Sequence, residues 1–169
     1  MCIYIYYFNS QKRRGMAMII VMCQTSGFSS TSRLRDLLSQ FYFRFLAEKL
    51  ASSFTLRLYY TILKCRKMSS TGAQQMLLDL HAIKTLLLEF PVMESLSKVS
   101  APSGYLRIVN REMAKAEALL KVYLSSLESI AETYTALLPS APLIEFQKLL
   151  DLRGIKRSDQ QPYIESYQR

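Results

Sequence analysis

SSTGAQQMLLDLHAIKTLLLEFP, residues 69–91, is the stretch that decides the fold class of this chain. Its capping residues predict both helix ends: Thr71 is the expected N-cap, Gln74 can complete a capping box, and Pro91 cannot continue a helix. Apolar residues lie on more than one side of this predicted helix, so we expect neighbouring helices to enclose the helix in a bundle. Its main apolar stripe repeats at spacings of three and four, as one helix face does: Ala73, Met76, Leu80, Ile83, Leu87 and Phe90.

A second strong helix is predicted from Ser103, a candidate cap, to about Leu124, after a loop over Val92–Pro102. If the two helices are antiparallel, their apolar faces form the centre of the core, to which we assign Met76, Leu80, Ile83, Leu87, Met113 and Leu120. The predicted buried face of the second helix comprises Tyr105, Ile108, Val109, Met113, Ala116, Leu119, Leu120 and Tyr123.

Shorter helices are predicted towards the C-terminus. One covers Glu128–Leu138, and the next begins near Pro142 and ends at Gly154 in a left-handed conformation. Ser158, with Gln161 three residues later, is expected to open a last short helix. Together these segments predict an all-α antiparallel bundle or rod of about five to six helices.

Upstream, residues 32–66 read as one long helix or as two helices broken near Ala51–Thr55, where Ser and Thr side chains compete for backbone hydrogen bonds. Aromatic residues interleaved with Arg44 resemble a base-stacking surface, but aromatics at helical spacing more commonly belong to a core. We therefore expect a core role for the cluster Phe41, Tyr42, Phe43 and Phe45.

Three blocks of the sequence resemble one known family. They are TGAQQMLLDLHAIKTLLLEFP at 71–91, YLRIVNREMAKAEALLKVYLS at 105–125 and EFQKLLDLRGIKRSDQQ at 145–161. In this order they resemble the C-terminal region of the vacuolar-protein-sorting fifty-three subunit of the Golgi-associated retrograde protein (GARP/EARP) tethering complex, a CATCHR-family tether, and plant versions most. The resemblance covers roughly residues 50–168.

The resemblance implies a non-catalytic part of a multisubunit vesicle tether in retrograde transport from endosomes to the trans-Golgi network. It implies a cytosolic protein, peripheral on trans-Golgi network and endosome membranes, acting by protein or membrane docking. The expected partners are the other vacuolar-protein-sorting subunits, which that family binds through an N-terminal coiled coil not found here, and vesicle membranes or proteins. No cofactor, nucleic acid or small-molecule substrate is expected.

The front of the chain has a different character. Residues 1–67 hold 11 Lys or Arg against two acids, whereas residues 68–169 hold 11 of each, so the front segment carries the net charge of +9. Residues 1–29 show no helical stripe, and we expect them to be disordered or non-native, with the helical domain at 30–169. The alternative function is a small membrane-associated helical protein anchored by this basic, apolar segment. Its apolar runs, Ile3–Phe8 and Met16–Cys23, are shorter than the roughly 18–20 residues that span a bilayer.

No motif for catalysis or metal binding is visible in the sequence, which lacks a glycine-rich phosphate loop and a nucleophile elbow. The single histidine, His81, lies near the edge of the apolar stripe, where a surface or boundary role is expected. The scattered Cys2, Cys23 and Cys65 match no metal spacing and suggest free thiols in a reducing compartment.

Two groups of charged residues are candidate functional features. Lys84 and Glu112 each interrupt an apolar face, so they either form a buried ion pair between antiparallel helices, or Lys84 reaches water and Glu112 lies where the bundle is open. A basic strip runs opposite the buried face of the second helix, and it is either a solvated face or a docking site for an acidic partner or an anionic membrane. The strip comprises Arg107, Arg111, Lys115 and Lys121.

Overall fold

The computed structural model describes residues 37–65, 67–92 and 101–168. Within these ranges the chain is all-α, as predicted, and the helix count also agrees. A short 3-10 turn, Arg157–Asp159, precedes the last helix. The six α-helices are α1 (Gln40–Leu63), α2 (Ser70–Glu89), α3 (Ser103–Leu124), α4 (Ile130–Leu137), α5 (Leu143–Arg153) and α6 (Gln161–Gln168). The predicted segment 1–29 and most of the predicted loop after α2 lie outside the described residues.

Helix α1 runs without interruption for 24 residues, so the break proposed near Ala51–Thr55 does not occur. The hydroxyl of Thr55 donates to the carbonyl oxygen of Ala51 at 2.8 Å, four residues back, which satisfies it inside the helix. Ala47, Ala51 and Thr55 are all buried at intervals of four, and this packing stabilises a stretch of modest helix propensity.

The N-cap of helix α2 lies two residues before the predicted one. Ser69, in an extended conformation, is the N-cap, and its hydroxyl accepts a hydrogen bond from the amide of Gly72 at 3.0 Å. Thr71 instead lies in the first turn and is exposed, so its assignment as the cap was wrong. Both residues have the hydroxyl that a cap needs, and only the backbone geometry distinguishes them. The helix ends at Glu89, with Phe90 as its C-cap before Pro91, as predicted.

Helix α3 is the central element and packs against α2, α1, α4 and α5. Ser103 is its first residue rather than its cap, since Pro102 occupies the cap position without a side-chain hydrogen bond. Of its predicted buried face only Ile108 is half-exposed, and Val109, Met113, Leu119 and Leu120 are completely buried. Across the interface with α2, Leu80, Ile83 and Leu87 are buried and Met76 is half-buried against the same core.

Helices α2 and α3 are antiparallel, and two tyrosines of α3 mark the ends of their contact. The hydroxyl of Tyr105 donates to the carbonyl oxygen of Leu87 at 2.6 Å, near the C-terminus of α2. The hydroxyl of Tyr123 donates to the carbonyl oxygen of Met68, just before α2 begins. Both carbonyl groups are thereby satisfied by side chains within a buried interface.

Among the C-terminal helices, α4 packs on α3, α5 packs on α1 and α3, and α6 packs on α4. Gly154 ends α5 with a φ of 87°, the left-handed conformation that was predicted and that glycine adopts without steric cost. The last helix begins at Gln161, and the hydroxyl of Ser158 bonds to Asp159 rather than capping it. The side chain of Gln160 is buried and donates to Asp151 Oδ1 at 2.7 Å, which fixes the turn between α5 and α6.

Candidate docking surface

The basic strip on α3 is exposed along its length, since Arg107, Arg111, Lys115 and Lys121 all reach solvent. Glu112 bonds to two of its members: Arg111 Nε lies 2.8 Å from Glu112 Oε1, and Lys115 Nζ lies 2.8 Å from Glu112 Oε2. Arg107 and Lys121 are in none of the ion pairs of the described residues. The strip therefore has two paired cations at its centre and one unpaired cation near each end.

The pKa of Glu112 reflects this position. Burial alone would raise the pKa of its carboxyl group, but the hydrogen bonds from Lys115 and Arg111 outweigh the burial and hold the pKa below its ordinary value. Glu112 is therefore ionised at neutral pH and keeps the two basic side chains in place along the helix.

Lys84 binds a different partner from the one predicted. Its Nζ lies 3.3 Å from Glu117 Oε1, and both side chains are about one-fifth exposed, at 23% and 22%. Glu112 faces a pocket that is formed by α1 and the residues after α4. The expected Lys84–Glu112 contact is thus replaced by a Lys84–Glu117 pair. The reason is that α3 has neighbours on several sides, and a helical wheel shows that Glu112 is central without showing which neighbour it faces.

The pocket beside Glu112 has a volume of about 340 Å³ and lies between α1, α3 and the turn from α4 to α5. Its wall includes a buried polar pair, in which the hydroxyl of Tyr59 donates to Glu145 Oε2 at 2.7 Å. Burial, the hydrogen bond and the negative charge of Glu145 all raise the pKa of the Tyr59 phenol, so it remains a hydrogen-bond donor at neutral pH. Leu56, Tyr60 and Lys115 also line the pocket.

The aromatic cluster at the start of α1 is largely exposed, contrary to the core role expected for it. Phe43 is buried and stacks on Phe90 with ring centroids 6.0 Å apart, but Phe41 and Phe45 are 75% and 54% exposed. Residue Tyr42 is exposed as well. The prediction failed because aromatics at positions 41, 42, 43 and 45 point in several directions around a helix, and only the direction of Phe43 meets another part of the bundle, at Phe90.

The remaining candidate residues are His81 and the cysteines. His81 is exposed, and the Sγ of Cys65 donates to the carbonyl oxygen of Thr61 at 3.4 Å. Among the residues that the structure describes, no three His, Cys, Asp or Glu side chains are grouped so that they could hold a metal ion. None of the described helices is long and apolar enough to cross a bilayer. Cys2 and Cys23 lie outside the described residues.

Sequence reasoning missed the polar contacts that tyrosine hydroxyls make in the core. Tyr105 and Tyr123 were placed on the buried face from their spacing, but the backbone carbonyls that they bind are visible only in the folded chain. Glu145 was not singled out, although it lies on the same helical face as Leu149 and Leu152, and an acid on an apolar face is a signal for a buried partner.

Residues 74–155 match the family described as vacuolar protein sorting-associated protein 53 C-terminus. The chain is 47% identical over 134 residues to vacuolar protein sorting-associated protein 53 A of Arabidopsis thaliana, covering 79% of this chain and 16% of that protein. It is 37% identical over 139 residues to the Caenorhabditis elegans homolog, covering 79% of this chain and 17% of that protein. Vacuolar protein sorting-associated protein 53 B of Arabidopsis thaliana is 34% identical over 105 residues, covering 59% of this chain and 18% of that protein.

The chain thus matches less than one-fifth of the length of these relatives. No solved structure matches it significantly.

Proposed function

Since this chain belongs to the vacuolar protein sorting-associated protein 53 family, whose C-terminal domain it carries at residues 74–155, we propose that it acts as a non-catalytic helical part of a multisubunit vesicle tether. The tether acts in retrograde transport from endosomes to the trans-Golgi network. The protein is cytosolic and binds peripherally to the membranes of both compartments. Its partners are the other vacuolar-protein-sorting subunits and components of the arriving vesicle.

The observation that carries this proposal is the match to Arabidopsis thaliana protein 53 A, at 47% identity over 134 residues. A match of that length includes residues of the core as well as of the surface. The fold supports the proposal because α2 and α3 form a long antiparallel pair held by a continuous buried core. Such a pair is a rigid spacer, and its role is to present surfaces to partners rather than to make or break a bond.

The surface we assign to partner docking is the basic strip on α3. Its outer members, Arg107 and Lys121, are exposed and lie in none of the described ion pairs, so they are available to an acidic surface. At the centre, Glu112 positions Arg111 and Lys115 by hydrogen bonds at 2.8 Å. Pre-positioned cations lose less side-chain entropy on binding than free ones do, which favours docking at this strip.

A replacement experiment tests the proposal. The segment of Arabidopsis thaliana protein 53 A that matches this chain is exchanged for the chain, and the hybrid is expressed in a plant line that lacks the parent protein. We expect the hybrid to co-purify with the other tether subunits and to restore sorting to the vacuole. A hybrid that accumulates and assembles normally but restores no sorting would refute the proposal.

Charge-reversal variants of the hybrid test the docking strip. Arg107→Glu with Lys121→Glu should reduce the restored sorting without affecting subunit assembly, because the exposed side chains contribute little to folding. The matched control reverses two other exposed lysines, Lys148→Glu and Lys156→Glu, and should leave sorting unchanged. Equal losses in the two double variants would show that net charge, and not the strip, is what matters.

A further inference from the structure

One side of α1 exposes large apolar side chains to solvent. We call this surface the outer face of α1. Its most exposed member, Phe41, has 75% of its surface accessible, and its least exposed member, Tyr60, has 40%. Exposed large apolar side chains grouped on one helix face commonly mark an interaction site. Here an aromatic group near the start of α1 is separated by roughly 16 Å of helix from a second group nearer its end. The outer face comprises Phe41, Tyr42, Phe45, Leu56 and Tyr60.

These five residues lie along one stripe, whereas Leu50, which is also exposed, projects to another side of α1. At 3.6 residues per turn, the five positions fall within an arc of roughly 100°. From Phe41 to Tyr60 the stripe extends roughly 28 Å at 1.5 Å per residue. Most buried residues of α1, among them Ala47, Ala51 and Ile62, lie outside this arc; the exceptions are Tyr59 at its edge and Leu63 near the C-terminus of the helix.

Basic residues border the outer face. On the same helical projection, Arg57 and Lys64 lie roughly 40–60° beyond one edge of the arc, and Arg44 lies roughly 60° beyond the other. Lys49 lies within the arc, with its Nζ 5.4 Å from the centre of the Phe45 ring. From Gln40 to Lys64 the chain holds these four basic residues and one acid, Glu48, and all four basic residues are exposed.

The basic strip of α3 adjoins this surface. Leu56 and Tyr60 of the outer face line the same pocket as Lys115, a member of the strip. Cations therefore lie beside the outer face on a second helix as well, and the whole region combines exposed aromatic rings with positive charge.

We propose that the outer face of α1 docks on the surface of an anionic lipid bilayer. The proposal rests on the proposed function, for which it supplies the membrane contact. Phe and Tyr side chains enter the boundary between headgroups and acyl chains, while the surrounding Arg and Lys side chains bind the negative surface. The charge pattern favours lipid over a second protein helix, because a protein partner would have to supply several acids around its own apolar face.

Flotation with lipid vesicles tests this docking. The purified full chain is mixed with vesicles of phosphatidylcholine alone or with 30% phosphatidylserine, a composition that we choose (about one lipid in three) to give a strongly negative surface potential. We expect the chain to float with the anionic vesicles, less so as salt is raised, and to bind the neutral vesicles at least about tenfold more weakly. Failure to float with the anionic vesicles, or equal binding to both compositions, would overturn the proposal.

Paired variants locate the contact on the chain. Phe41→Ser with Phe45→Ser should reduce binding to the anionic vesicles by about tenfold or more, because two exposed apolar anchors are lost. The matched control, Leu78→Ser with Ile144→Ser, removes apolar residues that are equally exposed on α2 and α5 and should leave binding unchanged. Equal thermal midpoints for all three proteins would establish that each is folded.

Three outcomes assign the surface elsewhere. Unchanged vesicle binding by the Phe41 and Phe45 variant overturns the proposal and places the lipid contact outside α1. If the parent chain binds no vesicles but self-associates in light scattering, and the Phe41 and Phe45 variant does not self-associate, a second copy of the chain is the occupant. If the hybrid described above restores sorting while the purified chain ignores vesicles, the membrane inference fails and the proposed function stands.

Discussion

The Glu145 carboxylate is 8% exposed and lies at the contact of α5 with α1, where the Tyr59 hydroxyl donates to it at 2.7 Å. This is the one hydrogen bond or ion pair to the Glu145 side chain among the described residues. A largely buried carboxylate with a single protein donor depends on that donor, because losing it leaves the group without a hydrogen bond from the protein.

We predict that Tyr59→Phe lowers the free energy of unfolding by about 1–3 kcal/mol, because it leaves the Glu145 carboxylate buried without its donor. Chemical denaturation measures this loss. Adding Glu145→Leu to Tyr59→Phe should recover much of the stability, because the two apolar side chains need no hydrogen bond. A double variant less stable than Tyr59→Phe alone would contradict this account.

The contributions of Asp79 and Glu112 to the stability of the fold should change with pH in opposite directions. Burial raises the pKa of Asp79 above its ordinary value of 3.8, although the hydrogen bond from Gln75 partly offsets the burial. Ionised Asp79 therefore destabilises the fold, and the penalty grows as the pH rises from 3.8 through the raised pKa. Asp79→Asn should raise the thermal midpoint at pH 7, and this gain should shrink as the pH is lowered towards 4.

Glu112→Gln is the contrasting variant. Because the folded pKa of Glu112 is lowered from 4.5, its ion pairs stabilise the fold above that pH, and the contribution is lost as the pH falls through the lowered pKa. Glu112→Gln should therefore lower the midpoint at pH 7. Shifts of the same sign for the two variants would contradict these assignments.

At the scale of the helix pair, Lys84 and Glu117 face one another across the contact of α2 with α3. We predict a coupling energy of about 0.5–1 kcal/mol in a double-mutant cycle of Lys84→Met and Glu117→Gln, since both side chains are partly exposed. The control cycle, Lys84→Met with Glu112→Gln, should show coupling within about 0.3 kcal/mol of zero. The reverse pattern would mean that the original Lys84–Glu112 prediction holds in solution.

The apolar stripe of α2 gives a second prediction at this scale. Leu80 is 1% exposed, and Leu80→Ala should lower the free energy of unfolding by about 2–5 kcal/mol through lost burial and a residual cavity. Leu78, two residues earlier, is 66% exposed, so Leu78→Ala should stay within about 0.5 kcal/mol of the parent protein. Equal effects of the two substitutions would show that another surface covers Leu78 in solution.

Helices were easier to predict from the sequence than their exact ends and partners. Periodicity and terminal Pro and Gly residues located α2, α3 and α5 to within a few residues, because these signals are local. The choice of Ser69 over Thr71 as a cap, and of Glu117 over Glu112 as the partner of Lys84, depends on backbone geometry and on the arrangement of helices. Helical spacing alone carries neither kind of information.

At the scale of the whole molecule, the sequence indicated the bundle but not the exposure of α1. The Phe41 and Phe45 side chains have the spacing of core residues, yet no described helix covers the part of α1 where they lie. Spacing predicts that a face is apolar, and the presence of a neighbour determines whether it is buried. The α1 surface was therefore beyond prediction until the positions of α3 and α5 were known.

We predict that deleting residues 1–28 leaves the thermal midpoint unchanged within a few degrees. The buried apolar residues of the described chain all lie between Phe43 and Leu152, and the sequence of 1–28 has no helical stripe to match them. Calorimetry of the full and shortened chains measures the difference. A fall of more than about 8 °C, roughly 2 kcal/mol or more for a domain of this size, would show that the front segment packs on the core.

The two tyrosines that join α3 to the ends of α2 also have a mechanical consequence. Tyr105 binds the carbonyl oxygen of Leu87, and Tyr123 binds that of Met68, so the two bonds are 18 residues apart along α3, roughly 27 Å. Sliding the helices past each other by one turn, roughly 5.4 Å, would break both bonds in the same step. A pull along the pair therefore meets resistance at both ends together, and the helices either hold their register or separate. If the chain forms part of the proposed tether, the length of this pair would stay constant under load until it yields as a unit.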